Sequence, residues 1–154
     1  MRLTVIAVGK LKETWFRDAA AEYLKRLEPY ATVSVTEVPD RDVSRDEATA
    51  LAEEGAAILK AIPPSAHVIA LEISGTSRDS VGFARHLEDL ALGGRSSVAF
   101  VIGGAAGMSR AVLDRADERM SLGPMTIPHQ LVRVLLLEQL YRAFKISRNE
   151  PYHR

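Results

Sequence analysis

The chain ends in NEPYHR, so Tyr152, His153 and Arg154 put a flat ring, an imidazole and a permanent cation on three consecutive residues. Such a set can stack on a base, exchange a proton near neutrality and meet a phosphate, which is what holding a nucleotide requires. Chain ends fray unless something ties them down, and an idle tail is the competing reading. Upstream, Glu138 and Arg142 stand four residues apart in LLLEQLYRAF, the spacing of an ion pair along one helix face. An ordinary surface pair fits that spacing equally well.

A second chemistry-bearing feature is made of backbone. FVIGGAAGMS, residues 100–109, places Gly103, Gly104 and Gly107, three of the chain's 10 glycines, directly after an apolar run. Glycine loses more entropy on ordering than other residues, so the cluster implies either a sharp turn or a close approach to the backbone. LEISG, residues 71–75, ends another apolar run and reads as a Ser-Gly turn. SLGPMTIP, residues 121–128, is too apolar for a solvent loop and too rich in proline for a central strand. Buried irregular backbone leaves N–H and C=O groups in need of partners, and a ligand can supply them. The three segments together can line one pocket. Their glycine spacing matches neither the G-x-G-x-x-G dinucleotide fingerprint nor a P-loop.

These features need elements to position them. Residues 3–8 (LTVIAV) read as a buried strand, and residues 14–27 as an amphipathic helix with Phe16, Ala20, Tyr23, Leu24 and Leu27 inward. Residues 32–38 alternate like a strand. Ser44 and Glu47 have capping-box spacing and open a helix to about Ala61, closed by Pro63 and Pro64. A strand over 67–73, a helix over 77–92, a strand over 96–102 and a helix over about 109–119 follow. After the proline-rich stretch, with Pro128 near its start, a long helix runs over 129–148. Strands alternating with helices predict an α/β fold with a mostly parallel sheet and helices on both faces, in a single domain of residues 1–154. In the last helix Leu131, Val132, Val134, Leu135, Leu136 and Leu137 cover more circumference than one buried stripe needs, which points to a second contact surface.

Composition narrows the classes. Cysteine is absent, which removes disulfides, thiolate metal sites, iron–sulfur clusters and covalent cysteine chemistry. The histidines, His67, His86, His129 and His153, lack metal-ligand spacing, so no metal is expected, and His67 and His86 read as structural or exposed. No run approaches the roughly 18 apolar residues of a membrane span, and the apolar start lacks a cleavage site, which predicts a cytoplasmic protein. The net charge of zero does not advertise a nucleic-acid binder. The charge is nevertheless uneven. Residues 28–54 carry Glu28, Glu37, Asp40, Asp42, Asp46, Glu47, Glu53 and Glu54 against Arg41 and Arg45, and residues 129–154 carry Arg133, Arg142, Lys145, Arg148 and Arg154 against Glu138 and Glu150. The basic end can meet phosphates or form a solvated helix face.

GKLKE, IGGAAG, SLGPMTIPHQLVRVLLLEQLYRA and NEPYHR together resemble the family of large-subunit rRNA methyltransferase H, over nearly the whole chain. The resemblance implies a SPOUT methyltransferase with a C-terminal trefoil knot, working as a homodimer. It implies transfer of a methyl group from S-adenosylmethionine to N3 of a pseudouridine in 23S rRNA, within the assembled ribosome. Family cofactor contacts fall on Leu71, Gly103, Leu122, Gly123, Pro124, Met125, Thr126 and Ile127. For the reaction so implied, Tyr152, His153 and Arg154 are assigned to the substrate, with Glu138 and Arg142 as supports. Histidine is the side chain that titrates near neutrality, so His153 is the base or the group that positions it. One departure stands out. Family members often read G-G-P-E-G where this chain has Ala105 and Ala106 between its glycines, so only backbone contacts carry over. The alternative is a ribosome-associated binding protein without catalysis, which S-adenosylmethionine binding would separate from the enzyme. A nucleotide-dependent oxidoreductase already fails on the glycine spacing.

Overall fold

Runs of Val, Ile and Ala without polar interruption mark strands covered on both faces, and these runs form the middle of the sheet. The strands are β1 (Arg2–Val8), β2 (Thr32–Val38), β3 (His67–Ser77), β4 (Ser97–Ile102) and β5 (Glu118–Ser121). The computed structural model describes every residue except Val43 and Arg45. Arg45, counted above among the charges and spanned by the helix expected from Ser44, lies outside the described residues. The sheet order is β2-β1-β4-β3-β5 and every pairing is parallel. All five carboxyl ends therefore open toward one edge, where α/β sheets bind ligands.

Period-two alternation along β1 splits the core between two faces. Leu3, Val5 and Ala7 join Phe100, Leu136 and Leu140 under α1 (Thr14–Leu27), α3 (Ser80–Leu92) and α5 (His129–Ser147). Ile6 and Val8 join Val101, Ile58 and Val112 under α2 (Glu47–Ala61) and α4 (Arg110–Arg115). The expected α/β architecture, with helices on both faces of a parallel sheet, is what the chain adopts. Each fully buried aliphatic side chain contributes about 1.5–3 kcal/mol by leaving water.

Three local expectations are corrected. Asp46, not Ser44, caps α2: its carboxylate accepts from the Thr49 amide at 3.2 Å, while the Ser44 hydroxyl donates to Asp42. Asp is the stronger N-cap here because both its oxygens are used, the second by the Thr49 hydroxyl at 2.6 Å. The helix expected over 109–119 stops at Arg115, and Glu118–Ser121 is a strand. Its partners lie far away in sequence, along β3, so local propensity could not show it. The third correction concerns LEISG. β3 does not turn there but runs to Ser77 with a register shift between Leu71 and Thr76, and α3 starts at Ser80 rather than Ser77. Gly75 is needed because β5 crosses against it, and a Cβ there would lie 2.6 Å from the Arg119 carbonyl carbon.

His67 and His86 are structural. Their Nε2 atoms meet the Glu118 carboxylate at 2.7 and 2.8 Å, tying β3 and α3 to the first residue of β5. Burial pushes the Glu118 carboxyl up, but the hydrogen bonds from the two imidazoles outweigh it and hold the group below its ordinary value.

Candidate active site

β4 ends at Ile102 beside Leu71, where β3 shifts register, and the chain leaving β5 reaches the same place before α5 begins. A cavity of about 520 Å³ opens at this point, within the size range of small-molecule and cofactor sites. Of the expected cofactor contacts, Leu71, Gly103, Leu122, Gly123, Met125, Thr126 and Ile127 line it. Pro124 stands in the same run but is not part of the wall. The three segments singled out in the sequence do converge, although the first is a bulged strand rather than a turn. Sequence reading missed Met108, His129 and Val132, which also line the cavity. The first turn of α5 reaches it only because of how that helix packs.

The glycine loop answers to both explanations offered for it. Gly107 has φ +86° and its amide donates to the Gly104 carbonyl at 3.0 Å, closing a tight turn. Gly103 is the close approach, and what approaches is the loop itself. A Cβ on Gly103 would lie 2.6 Å from the Gly107 carbonyl oxygen and 2.9 Å from the Met108 Cγ. Residues 103–107 all line the cavity and carry no polar side chain, so the polar groups they offer it are main-chain ones.

The tail is not frayed. Asn149 adopts φ +53° just beyond α5, and its amide donates to the Ile146 carbonyl at 3.1 Å while the Glu150 amide donates to Lys145 at 2.9 Å. This pair of bonds is a Schellman motif, which ends the helix and reverses the chain. Residues 151–154 then return along α5. The Tyr152 hydroxyl donates to Glu138 Oε1 at 3.1 Å, and the Tyr152 ring meets Tyr141 edge-on at 4.7 Å. Arg142 lies 4.8 Å over the Tyr152 ring, donates through Nε to Glu138 at 2.9 Å and through Nη1 to His153 Nδ1 at 3.1 Å. Gln139 donates to the remaining Glu138 oxygen at 2.8 Å. Glu138, Arg142, Tyr152 and His153 are thus one network, and Arg154 is exposed beside it.

Arginine only donates, so His153 Nδ1 accepts and the neutral ring carries its hydrogen on Nε2. Burial, then Tyr23 and Glu138, push the Tyr152 phenol up to about 12, so it remains a protonated donor at neutral pH. The Glu138 carboxylate raises the Arg142 guanidinium further above its already high value.

Pocket and tail sit at different heights on α5. From Val132, in the cavity wall, to Arg142 the helix rises about 15 Å. Along the same helix Leu131, Val132, Val134 and Leu135 are only half-buried, consistent with the apolar excess noticed in the sequence.

Comparison with known proteins bears on this arrangement. The family model described as "Predicted SPOUT methyltransferase" matches residues 1–153. Proteins named "Ribosomal RNA large subunit methyltransferase H" from Carboxydothermus hydrogenoformans and Listeria monocytogenes are 50% and 51% identical to this chain over 159 aligned positions, covering 100% of each sequence. The namesake from Bacillus cytotoxicus is 48% identical with the same coverage. A solved structure described as a probable methylase family protein from Haemophilus influenzae Rd KW20 shares the fold, with a TM-score of 0.55 at 14% identity over 96% of this chain. This chain spans 66% of that one. A cavity at the carboxyl edge of a parallel sheet, a matching family model and full-length likeness at half identity agree: the chain is an enzyme of the SPOUT methyltransferase family.

Proposed function

We propose that this chain methylates large-subunit ribosomal RNA, as its full-length relatives' names state for them, using S-adenosylmethionine on N3 of a pseudouridine in 23S rRNA of the assembled ribosome. The observation that carries the cofactor part is the convergence of residues 71–73, 102–108 and 122–127 on one cavity. Apolar side chains such as Leu71, Ile102 and Ile127 line it beside Gly103, Gly104, Gly107 and Gly123, whose only polar groups are those of the main chain. That lining suits a purine, whose faces are apolar and whose edges form hydrogen bonds. Leu71, Gly103 and the run from Leu122 to Ile127 would hold the adenosyl group, with Pro124 fixing the backbone of that run from outside the wall. When bound, S-adenosylmethionine supplies an electrophilic methyl group on a positively charged sulfur. The reading includes the C-terminal trefoil knot that the family implies.

The tail's part is to hold and polarise the target. His153 offers an Nε2 hydrogen, Tyr152 remains a phenol, and Glu138 is occupied by Arg142, Gln139 and Tyr152. His153 and Tyr152 are thus donors and Glu138 already accepts from three side chains, so the network is arranged to donate to the target. His153 therefore donates to a carbonyl oxygen of the uracil, on which charge gathers while the N3 proton leaves to water. Arg154 meets a phosphate.

Pocket and tail of one chain are separated along α5, so we assign the second half of the site to a second copy, in a homodimer joined through the half-buried apolar residues of α5. Mapping rRNA methylation in a strain lacking the protein tests the reading. One methyl group should vanish from a pseudouridine and return when the protein is restored. Unchanged rRNA overturns it. Calorimetry showing no S-adenosylmethionine binding favours the ribosome-associated binding protein, and sedimentation as a monomer at micromolar concentration removes the dimer.

A further inference from the structure

The tail is tied twice, and only one tie involves the residues that face the substrate. The other lies at its root. Glu150 Oε2 accepts from Lys145 Nζ at 2.8 Å and from the Tyr30 hydroxyl at 2.7 Å. Tyr30 sits beyond the end of α1, where its amide donates to the Leu27 carbonyl at 2.9 Å, and its ring stacks on Phe144 at 5.8 Å with 19° between planes. Lys145 in turn lies 5.5 Å from the Tyr30 and Tyr141 ring centres. The last residue before Pro151 is therefore fixed to a tyrosine 120 positions away in sequence.

We propose that Glu150, clamped by Tyr30 and Lys145, is a positioning residue that sets where His153 and Arg154 stand when they meet the RNA. The inference rests on the reading of the tail given above. The Schellman bonds set the direction of the return but end at Glu150, and the isolated bridge between Pro151 and His153 beyond them does not tie the tail to α5, so these bonds alone leave it free to swing. The Glu150 carboxylate removes that freedom from one side, and Arg142 and Glu138 remove it from the other. Losing the clamp leaves the second tie in place, so the tail is misplaced rather than lost. A misplacement of about 1 Å costs on the order of a hundredfold in rate.

A double-mutant cycle on the full-length enzyme tests this. Glu150→Ala and, separately, Tyr30→Phe, which removes one hydroxyl and keeps the ring, are each made in the full chain and in a chain lacking residues 152–154. Single-turnover methyl transfer to unmodified ribosomes is read with radiolabelled S-adenosylmethionine, alongside cofactor affinity by calorimetry. In the full chain both variants should lower the transfer rate tenfold or more while cofactor affinity stays within twofold. In the truncated chain neither should lower it further, since the group being positioned is gone. An equal loss in both backgrounds would assign Glu150 a purely structural role and overturn the inference. So would full activity of both variants in the intact chain. A truncated chain as active as the intact one overturns the tail reading itself, a different outcome from either.

Discussion

The pocket and the tail, the two halves of the proposed site, are built from different materials. The pocket wall owes its shape to backbone: a bulged strand, a glycine loop closed on itself and a proline-bounded run. The tail owes its shape to side chains, with Glu138, Arg142, Tyr152 and His153 in one hydrogen-bonded network and Glu150 clamped below it. A backbone site tolerates changes of side-chain chemistry but not an added Cβ where two segments of backbone touch. A side-chain site behaves oppositely, because its geometry survives only while particular donors and acceptors are present. The departure at Ala105 and Ala106 falls in the tolerant kind.

The hardest blow to this contrast is removal of Tyr152, His153 and Arg154. Methyl transfer to ribosomes should fall by several orders of magnitude, since positioning supplies much of the barrier reduction. Cofactor affinity by calorimetry should stay within twofold, because the tail is no part of the cavity wall. Within the tail, His153→Gln, which keeps an N–H donor, should retain at least tenfold more activity than His153→Ala. Equal loss in both would mean the imidazole takes the proton, and would break the reading of the tail as a set of donors.

Next in size is Gly103→Val, which places branched carbon against the Gly107 carbonyl. Cofactor affinity should drop more than tenfold while circular dichroism shows the fold intact. Unchanged affinity would remove Gly103 from the site. A smaller effect tests the far support of the wall, where β5 begins at Glu118. Because the hydrogen bonds from the imidazoles of His67 and His86 outweigh burial and hold this carboxylate below its ordinary value, its ionised form stabilises the fold. That contribution is complete above the ordinary value of 4.5 and vanishes as pH falls through the lower folded value. Glu118→Gln should therefore lower the melting temperature by a few degrees at pH 7, on the order of 1 kcal/mol after solvent screening. The deficit should shrink in acid; one that persists there would assign Glu118 to packing. The smallest effect belongs to Ala106→Glu, which should change cofactor affinity less than threefold. A larger gain would show that the pocket uses side-chain chemistry in this loop after all.

Much of this contrast was legible in the sequence, and unevenly so. The strands β1, β2 and β4 were visible because uninterrupted or alternating apolar runs have few other uses. β5 was not, because ERMS has no strand signature and its hydrogen-bond partners belong to β3. The three pocket segments could be read as a set from their glycine and proline content, yet LEISG was misread as a turn. Its glycine serves a crossing strand whose arrival is a tertiary event. Tyr152, His153 and Arg154 announced their chemistry by type. Their neighbours in space did not, since Tyr30 carries no mark of its bond to Glu150.

By itself the sequence determined the alternation of strands and helices, the absence of thiol chemistry, the position of backbone that needs partners and the chemical kinds gathered at the tail. Those follow from local preferences, which act over a few residues. The tertiary structure alone decided that residues 71, 103 and 127 share a wall, that the tail turns back instead of fraying, and that tail and pocket occupy different heights of one helix. The physical reason is that these outcomes depend on which buried surfaces meet. Strand order, helix packing and the αL turn at Asn149 fix that choice only when the whole sheet has closed.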